Sequence, residues 1–329
     1  MGPAERRGTA RLSERLAVVV VTYNRSGHLE QLLASLAELS PAPWRVVVVD
    51  NASTDDTAAL LAERQDAWGE RLEVLRLASN TGGAGGFSAG VERAHSRGAE
   101  WMWLMDDDVA ALPDALDRLA PWAARFACVT GRKLDFDGRP FRWQNRFSDF
   151  LGVPLPIKGD PFAGSGWFEQ TAGNFEGMLI RRDVVERIGL PDPRFFIVWD
   201  DAVYGWLAHR ATTCAVVDAF VLRRTRVLGQ RQLGDRAINA TGDRYRFHVM
   251  RNRVYVRHYL RHEGALHPFG FALGSLYTFG KEVVRTLVVE HHPGGVLPLL
   301  RGVRAGWRIG REPGWEPMPS LDGPRAGAA

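Results

Sequence analysis

The chain has 329 residues, 45% of them hydrophobic and 24% charged, which is typical of a globular protein with one large domain, or one domain and an appendage. The net charge of +4 is unevenly distributed, because the part from Val221 onward carries 18 Lys and Arg against 8 Asp and Glu, a net charge of +10 against −6 for the rest. No run of about 18 apolar residues occurs, so the sequence excludes a membrane-spanning helix.

The N-terminal residues and the two cysteines indicate the cellular compartment of the protein. Residues 1–15 are polar and basic and predict a disordered leader, and the apolar run that follows them is too short for a signal peptide. Cys128 and Cys214 lie far apart in the sequence without metal or redox spacing, so we expect free thiols in a reducing compartment. These features predict a cytoplasmic protein.

Four apolar, largely β-branched runs predict strands that are buried on both faces of a sheet. A polar or glycine-rich turn and a helical pattern follow each of the first three runs, and the repeat predicts a doubly wound α/β sheet. The four runs are Leu16–Val21, Arg45–Asp50, Leu72–Leu77 and Trp101–Met105.

Each predicted strand is followed by polar side chains. Since ligands of such sheets bind at the carboxyl ends of the strands, we expect these side chains to converge on one site. They are Tyr23, Asn24, Arg25, Asp50, Asn80 and Asp106–Asp108. Three consecutive carboxylates repel one another unless a cation offsets the repulsion, so the last group predicts a site for Mg2+ or Mn2+. Taken alone, the triplet is more typical of a solvated turn that caps a helix, and the other polar groups at the same edge favour the metal site.

Two further stretches allow a plain and a functional interpretation. Glycines 82–86 follow the third strand rather than the first, which argues against a dinucleotide-binding dehydrogenase. They are either a permissive loop or a close approach of the backbone to phosphate or sugar at a helix N-terminus. Asp200 and Asp201 follow another apolar run and begin a helix, where they are either helix caps or a general base.

The basic end of the chain changes in character. Residues 256–315 are rich in apolar residues with scattered charges, and they predict a helical, amphipathic extension. This extension either packs on the core or lies in a membrane interface. Residues 316–329 predict a disordered tail. We do not expect nucleic acid as the partner of the basic end, because the neighbouring carboxylates would repel its phosphates unless a metal is bound.

Five motifs occur in an order that resembles family 2 glycosyltransferases. They are residues 20–25 (VVTYNR), 48–55 (VVDNASTD), 80–87 (NTGGAGGF), 106–108 (DDD) and 199–201 (WDD). The resemblance covers residues 16–255. It implies an inverting, nucleotide-sugar-dependent enzyme of the GT-A fold (nucleotide-diphospho-sugar transferase), with a mixed sheet and a helical, basic C-terminal extension. Within the family, the motifs look most like bacterial galactofuranosyltransferases, with rhamnosyltransferases as the neighbouring group.

The resemblance also implies roles for particular residues. The UDP- or dTDP-linked donor would be held by Thr22, Tyr23, Arg25, Asp50, Asn80, Gly83, Asp106 and Asp107. Asp106 and Asp108 would bind the metal, Mn2+ or Mg2+, and Asp201 with Asp200 beside it would deprotonate the acceptor hydroxyl. Where the family commonly has a histidine metal ligand, this chain has Arg223. Either His248 supplies that ligand from further along the chain, or Arg223 contacts the diphosphate directly.

The resemblance predicts transfer of galactofuranose or rhamnose to a cell-wall polysaccharide or a lipid-linked acceptor, at the inner face of the cell membrane. Two alternatives remain. A nucleotidylyltransferase would have a glycine-rich, basic signature directly after the first strand, where this chain has Thr22 to Arg25. A non-catalytic nucleotide- or carbohydrate-binding protein would retain the site but lack turnover.

Overall fold

The computed structural model describes residues 3–141, 144–226, 230–233, 236–239 and 241–321. Its α-helices are α1 (Pro3–Ser13), α2 (Ser26–Ala37), α3 (Thr57–Trp68), α4 (Gly82–Ser96), α5 (Ala115–Ala123), α6 (Arg182–Ile188), α7 (Asp200–Ala211), α8 (Asp243–Arg251), α9 (Arg253–His262), α10 (Pro268–Val284) and α11 (Val296–Ile309). A π-helical turn over Arg285–Val289 follows α10.

The strands belong to one large mixed sheet and two small hairpins. They are β1 (Leu16–Thr22), β2 (Arg45–Asp50), β3 (Leu72–Arg76), β4 (Trp101–Asp106), β5 (Val109–Ala111), β6 (Cys128–Leu134), β7 (Pro140–Phe141), β8 (Asn145–Ser148), β9 (Val153–Pro156), β10 (Trp167–Glu169), β11 (Met178–Arg181), β12 (Cys214–Arg224), β13 (Gln230–Leu233) and β14 (Arg236–Asn239). The large sheet has the order β10-β12-β6-β11-β4-β1-β2-β3, with β5 on β12 and β7 on β6.

The four predicted strands are confirmed, and they pair in parallel in the order β4-β1-β2-β3. Their continuous apolar runs have the expected cause, because both faces of the sheet are covered. Val19 and Val21 of β1 belong to one buried cluster, and Val18 and Val20 belong to the cluster on the opposite face. The strand order changes direction at β1. From β1 the chain passes through α2 to β2 on one side, whereas β4 pairs with β1 on the other side. That switch point is where ligands of such sheets bind.

Helix α4 begins at Gly82, so the glycine run forms the first turns of a helix rather than a loop. The reason lies in packing against the sheet. A Cβ atom on Gly86 would lie 2.5 Å from a Cγ atom of Val21, and one on Gly90 would lie 2.5 Å from a Cγ atom of Val19. The glycines therefore let α4 approach β1 more closely than any residue with a side chain would allow.

Both ends of the chain differ from expectation. Helix α1 forms where a disordered leader was predicted. Its Leu12 is buried in the same core cluster as Val18 and Val20 of β1. Of the predicted disordered tail, residues 316–321 are described and contact the domain: the backbone N–H of Leu321 donates to the carbonyl oxygen of Glu186 at 2.8 Å. Residues 322–329 lie outside the described part of the chain.

The predicted boundary between residues 255 and 256 falls inside α9. Tyr255 and Tyr259 on that helix, and Phe271 on α10, are buried in the same cluster as the sheet. The first part of the extension therefore belongs to the domain core. Further along, α10 and α11 keep several large apolar side chains exposed, among them Phe269 at 72% and Trp307 at 58%. Within the described residues, no helix has the length and hydrophobicity needed to cross a membrane.

Cys128 and Cys214 are both free thiols and both buried. Although 86 positions separate them in the sequence, they are register partners on the parallel strands β6 and β12. Their proximity comes from the long crossover between these strands, which sequence spacing does not reveal.

Candidate active site

The acidic triplet lies where β4 leaves the sheet. Asp106 is the last residue of β4, and the chain then turns into β5, which pairs with β12. The backbone N–H of Thr225, just past β12, donates to the carbonyl oxygen of Asp108 at 2.9 Å. The triplet is thus a connection between two strands of the same sheet, and it does not cap a helix.

Both carboxylate oxygens of Asp107, the middle residue of the triplet, bond to side chains of the protein. Its Oδ2 accepts a hydrogen bond from Thr22 Oγ1 at 2.7 Å, and its Oδ1 lies 2.9 Å from Nη1 of Arg25. Burial raises the pKa of Asp107, and the charge of Arg25 and the hydrogen bond from Thr22 offset part of that effect. Asp107 therefore fixes the end of β1 to the end of β4, with Arg25 held over the site.

Asp106 and Asp108 face a third carboxylate, that of Glu176. One ligand oxygen from each of the three lies within 4.8 Å of those of the other two. Strand β11 runs antiparallel to β4 with Met178 opposite Leu104, so the residues just before β11 reach the same edge of the sheet as the end of β4. This register brings Glu176 to the triplet.

The electrostatics of the three carboxylates differ. Burial raises the pKa of Asp106 well above its ordinary value, and the negative charges of Asp108 and Glu176 raise it further. Burial also acts to raise the pKa of Glu176, but the charges of Lys133 and Arg224 outweigh it and lower that pKa. Lys133 is buried, and its Nζ lies 2.6 Å from Oε2 of Glu176.

The three carboxylates fit a hard divalent cation. All three offer oxygen ligands, which Mg2+ and Mn2+ prefer. Oδ1 of Asp108 is buried and has no hydrogen-bond partner among the described residues, so a coordinating oxygen is available there. Burial and the neighbouring negative charges raise the pKa of Asp106, and a bound cation would offset the repulsion by those charges.

The sequence indicates Arg223, Arg224 and Arg226 as a basic group that could clamp phosphate and favours Arg223 as the contact, but the two arginines near this cluster are Arg224 and Arg226. Nη1 of Arg226 lies 3.8 Å from Oδ2 of Asp108, and buried Arg224 acts on Glu176. Arg223 is exposed, because successive side chains of β12 point to opposite faces and Arg224 takes the inward position. The strand alternation thus places the neighbours of Arg223, rather than Arg223 itself, at the carboxylates.

The remaining predicted donor-binding residues form the rim around the ends of β1, β2 and β3. Buried Asp50 accepts a hydrogen bond from the backbone N–H of Ser53 at 2.8 Å, and Tyr23 is exposed. Asn80 accepts from the backbone N–H of Gly82 at 2.8 Å, which shapes the start of α4. Gly83 lies in the first turn of that helix, where an added Cβ would be 4.0 Å from Oδ2 of Asp200.

Asn51 organises this rim, although no local sequence pattern distinguishes it from its polar neighbours. Its side chain is buried; its amide nitrogen donates to the carbonyl oxygen of Gly82 at 2.8 Å, and its oxygen accepts from the backbone N–H of Thr81 at 2.8 Å. One side chain thus ties the end of β2 to the N-terminus of α4. Its effect on the rim depends on contacts across about thirty residues, which a local pattern does not contain.

The second acidic pair follows a segment with unusual backbone angles. We call residues 195–199 the base loop. Phe196, Val198 and Trp199 have φ angles of 64°, 71° and 73°, in the region that glycine favours. Phe196 is the centre of a γ-turn closed by a 2.7 Å bond from the N–H of Ile197 to the carbonyl oxygen of Phe195. Each such residue costs on the order of 1–3 kcal/mol, so the surrounding contacts must hold this loop in place.

Asp200 and Asp201 form the first turn of α7, directly after the base loop. Burial raises the pKa of Asp200 to about 6, partly offset by hydrogen bonds from nearby backbone N–H groups. Burial and the charge of Asp200 raise the pKa of Asp201 to about 8, and Glu176 adds to this effect. A carboxyl group with a raised pKa near the operating pH is suited to accept a proton.

His248 lies outside the carboxylate cluster. Within the described part of the chain, the cluster of Asp106, Asp108 and Glu176 is the only group of three or more candidate metal ligands. The ring of His248 is buried and stacks on Phe196 of the base loop, with the ring centres 4.9 Å apart. Burial lowers the pKa of His248 to about 4, and Arg251 and Arg244 contribute, so the ring is neutral at physiological pH.

Comparisons with known proteins show the family and the fold of this chain. The chain matches Glycosyl transferase family 2 over residues 17–189, which is more than half of its length. It is 31% identical over 205 residues to the galactofuranosyltransferase GlfT1 of Mycobacterium tuberculosis, a match that covers 58% of this chain and 63% of that protein. It is 26% identical over 219 residues to the N-acetylglucosaminyl-diphospho-decaprenol L-rhamnosyltransferase of the same organism, covering 59% of this chain and 70% of that protein.

Among solved structures, the chain is similar to the mannosyltransferase PcManGT from Pyrobaculum calidifontis, which was solved with GDP-Man and Mn2+. The TM-score is 0.52 at 15% identity, and the match covers 94% of each chain. The likeness confirms the predicted GT-A fold. The matched region spans 63% of the length of GlfT1, which is less than two thirds of that relative.

Proposed function

The chain belongs to Glycosyl transferase family 2, and from that premise we propose that it is an inverting glycosyltransferase, which moves a sugar from a nucleotide-diphosphate donor to a glycan or lipid-linked acceptor. The observation that carries this proposal is the convergence of Asp106, Asp108 and Glu176 beside Asp201, whose carboxyl has a raised pKa. The first group suits a metal-bound diphosphate, and Asp201 suits deprotonation of a hydroxyl.

The donor would bind across the ends of β1, β2 and β4. Tyr23 is exposed at the end of β1, and Asp50 and Asn80 lie on the rim, where a base and a ribose have access to polar groups. Arg25 and Arg226 contribute positive charge next to Asp108, on the side where the diphosphate would lie. UDP and dTDP are the nucleotides we propose. Galactofuranose and rhamnose are the proposed sugars, on the strength of the similarity to GlfT1 and to the rhamnosyltransferase.

Asp106, Asp108 and Glu176 would hold Mn2+ or Mg2+. When bound, the ion would neutralise the charge that develops on the departing diphosphate. The protein contributes the rest of the electrostatics. Lys133 keeps Glu176 ionised, and Arg25 stays over the site through its ion pair with Asp107.

Asp201 would take the proton from the acceptor hydroxyl as that oxygen attacks the anomeric carbon. The oxygen–carbon bond forms on one face while the bond to the diphosphate breaks on the other, so the configuration inverts. Because burial and Asp200 raise the pKa of Asp201 to about 8, its carboxylate is a stronger base than an exposed aspartate. Asp200, in the first turn of α7, assists by its charge, which raises the pKa of Asp201.

We propose that the acceptor is presented at an anionic membrane surface, at the inner face of the cell membrane. Support comes from α10 and α11, where the large apolar side chains of Phe269, Leu276 and Trp307 are exposed. Arg301, Arg304 and Arg308 are exposed on α11. Apolar side chains beside arginines suit the boundary between acyl chains and negatively charged head groups. Co-sedimentation with vesicles tests this point: binding should require anionic lipid and should weaken in Trp307→Ser.

The test of the proposed function is titration of UDP and dTDP into the protein with Mn2+ and then with EDTA, followed by turnover of the corresponding sugar donors. We expect binding that is lost with EDTA and in Asp108→Ala. We expect turnover that is lost in Asp201→Asn while nucleotide binding persists. Glu169→Gln, which alters an exposed carboxylate on β10, serves as the control for both measurements.

Three results would contradict the proposal in different ways. Failure to bind either nucleotide under both conditions would remove the donor assignment. Binding without turnover of any donor would favour a non-catalytic binding protein. Release of diphosphate from a nucleoside triphosphate would favour a nucleotidylyltransferase.

A further inference from the structure

One buried side chain from outside the base loop bonds to three of its backbone carbonyl groups. Asn252 lies at the junction of α8 and α9 and is 0% exposed. Its amide nitrogen lies 2.8 Å from each of three backbone carbonyl oxygens of the base loop, those of Phe195, Ile197 and Val198. An amide nitrogen has two N–H donors, so one of them is shared between two of these oxygens.

The orientation of this amide is fixed by its neighbour. Nε of Arg251 donates to Oδ1 of Asn252 at 2.8 Å. A flipped amide would bring its NH2 group against the guanidinium and its oxygen against the carbonyl oxygens, so only the present orientation satisfies both sides. Nη2 of Arg251 also donates to the carbonyl oxygens of Arg194 and Phe195, each at 2.7 Å. The two side chains together bind the start and the middle of the loop.

The carbonyl oxygens that Asn252 contacts belong to the strained part of the chain. The carbonyl of Phe195 closes the γ-turn, and that of Val198 belongs to a β-branched residue with a φ of 71°. These carbonyls point inward because the backbone has positive φ angles, and a relaxed loop would turn them away. The donors of Asn252 therefore stabilise the strained conformation specifically, rather than the segment in general.

We propose that Asn252 is a positioning residue for the reaction: it holds residues 195–199 in the conformation that presents Asp200 and Asp201 to the carboxylate cluster. It acts through these residues and touches neither donor nor acceptor. The inference rests on the proposed function, since it assigns Asn252 to the base in that reaction. It also gives the C-terminal helices a role in catalysis that the family match over residues 17–189 does not include.

The experiment compares Asn252→Asp and Asn252→Ser with Thr278→Val. Asp has the shape of Asn without its N–H donors, and Ser is small enough to be accommodated in the core. Thr278 is also buried, but it donates only to the carbonyl oxygen of Gly274 within α10, so its replacement tests loss of a buried hydrogen bond away from the loop. Three quantities are measured on the folded fraction of each variant: kcat and KM for the donor, nucleotide affinity, and hydrogen exchange of peptides covering residues 194–201.

We expect both Asn252 variants to lose kcat by about 10- to 100-fold, since a misplacement of about 1 Å at a reacting group costs that much. Nucleotide affinity should stay within about twofold, because the donor site lies on β1, β2 and β4. Exchange of residues 194–201 should accelerate in these variants and remain unchanged in Thr278→Val. If kcat and loop exchange are unchanged, or if Thr278→Val has the same effect on both, the inference is wrong. If the unaltered enzyme transfers no sugar, the proposed function fails, while the exchange measurement still tests the contact.

Discussion

Asp201→Asn should stabilise the protein while abolishing its activity. Burial and the charge of Asp200 raise the pKa of Asp201 from 3.8 to about 8. Between these two pH values, the folded chain keeps a proton that the unfolded chain has released. Below pH 3.8, Asp201 is protonated in both states and its contribution to the free energy of unfolding is fully present. That contribution is lost as the pH rises through about 8, where the folded chain must also release the proton. Asparagine has no such titration, so the variant avoids this loss.

The size of the effect follows from the shift. Each pKa unit corresponds to about 1.4 kcal/mol, so the full shift would set an upper limit of roughly 5–6 kcal/mol. Asp201 is partly exposed at the surface of the site, and solvent reduces the effect, so we expect about 1–3 kcal/mol at pH 8. For a chain of this length, that gain corresponds to a rise in Tm of roughly 2–6 °C.

The assay is thermal or urea unfolding of both proteins at pH 4, 6 and 8 in the presence of EDTA. The difference in stability should be small at pH 4 and should grow with pH. Asp66→Asn, which changes an exposed carboxylate on α3, should show no comparable trend. A difference that is constant with pH, or a variant that is less stable at pH 8, would refute the conclusion that the folded protein raises the pKa of Asp201.

Three further predictions concern the metal cluster, the helix that packs on β1, and the buried triplet. Glu176→Gln should weaken Mn2+ binding by about 10-fold or more, measured by titration calorimetry, because it removes a carboxylate ligand; unchanged affinity would exclude that residue from the site. Gly90→Ala should lower the free energy of unfolding by about 1–3 kcal/mol through overpacking against the sheet, whereas Gly280→Ala, at a helical position with open space, should raise it by up to about 1 kcal/mol. Thr22→Val should cost about 1–3 kcal/mol because Asp107 loses a hydrogen bond in a buried position, and urea unfolding would measure it.

Much of the parallel sheet could be predicted because it is encoded locally. Strands β1, β2 and β4 are continuous β-branched or apolar runs, and each ends in polar residues that must emerge at one edge. The same logic placed Asp106 and Asp108 at this edge, where the structure brings them together with Glu176. This inference requires only that consecutive strands be parallel, and the helices that connect them make them so.

Glu176 could not be found in this way. It reaches Asp106 because β11 enters the sheet antiparallel between β4 and β6, and no local pattern indicates which distant strand will be inserted there. The glycines of α4 show a second limit. Their permissive backbone suggested an approach to phosphate, whereas Gly86 and Gly90 serve an approach to the valines of β1. The function of a glycine depends on what lies opposite, and that is set by tertiary packing.

The base loop shows a third limit. Its sequence, Phe-Phe-Ile-Val-Trp, is typical of a buried strand, yet three of its residues have positive φ angles. Bonds from residues more than fifty positions away, at the junction of α8 and α9, override the local preference. A segment whose conformation contradicts its own propensity is expected where function requires it.

The insertion of β11 beside β4 has a consequence for folding as well as for chemistry. A divalent ion held by Asp106, Asp108 and Glu176 would cross-link two strands whose pairing closes a loop of about seventy residues. The unfolded chain has no such preformed site, so the ion would bind the native state alone and add about 2.7 kcal/mol to its stability at one hundred times the dissociation constant. Resistance to heat would then report how fully the site is loaded with metal.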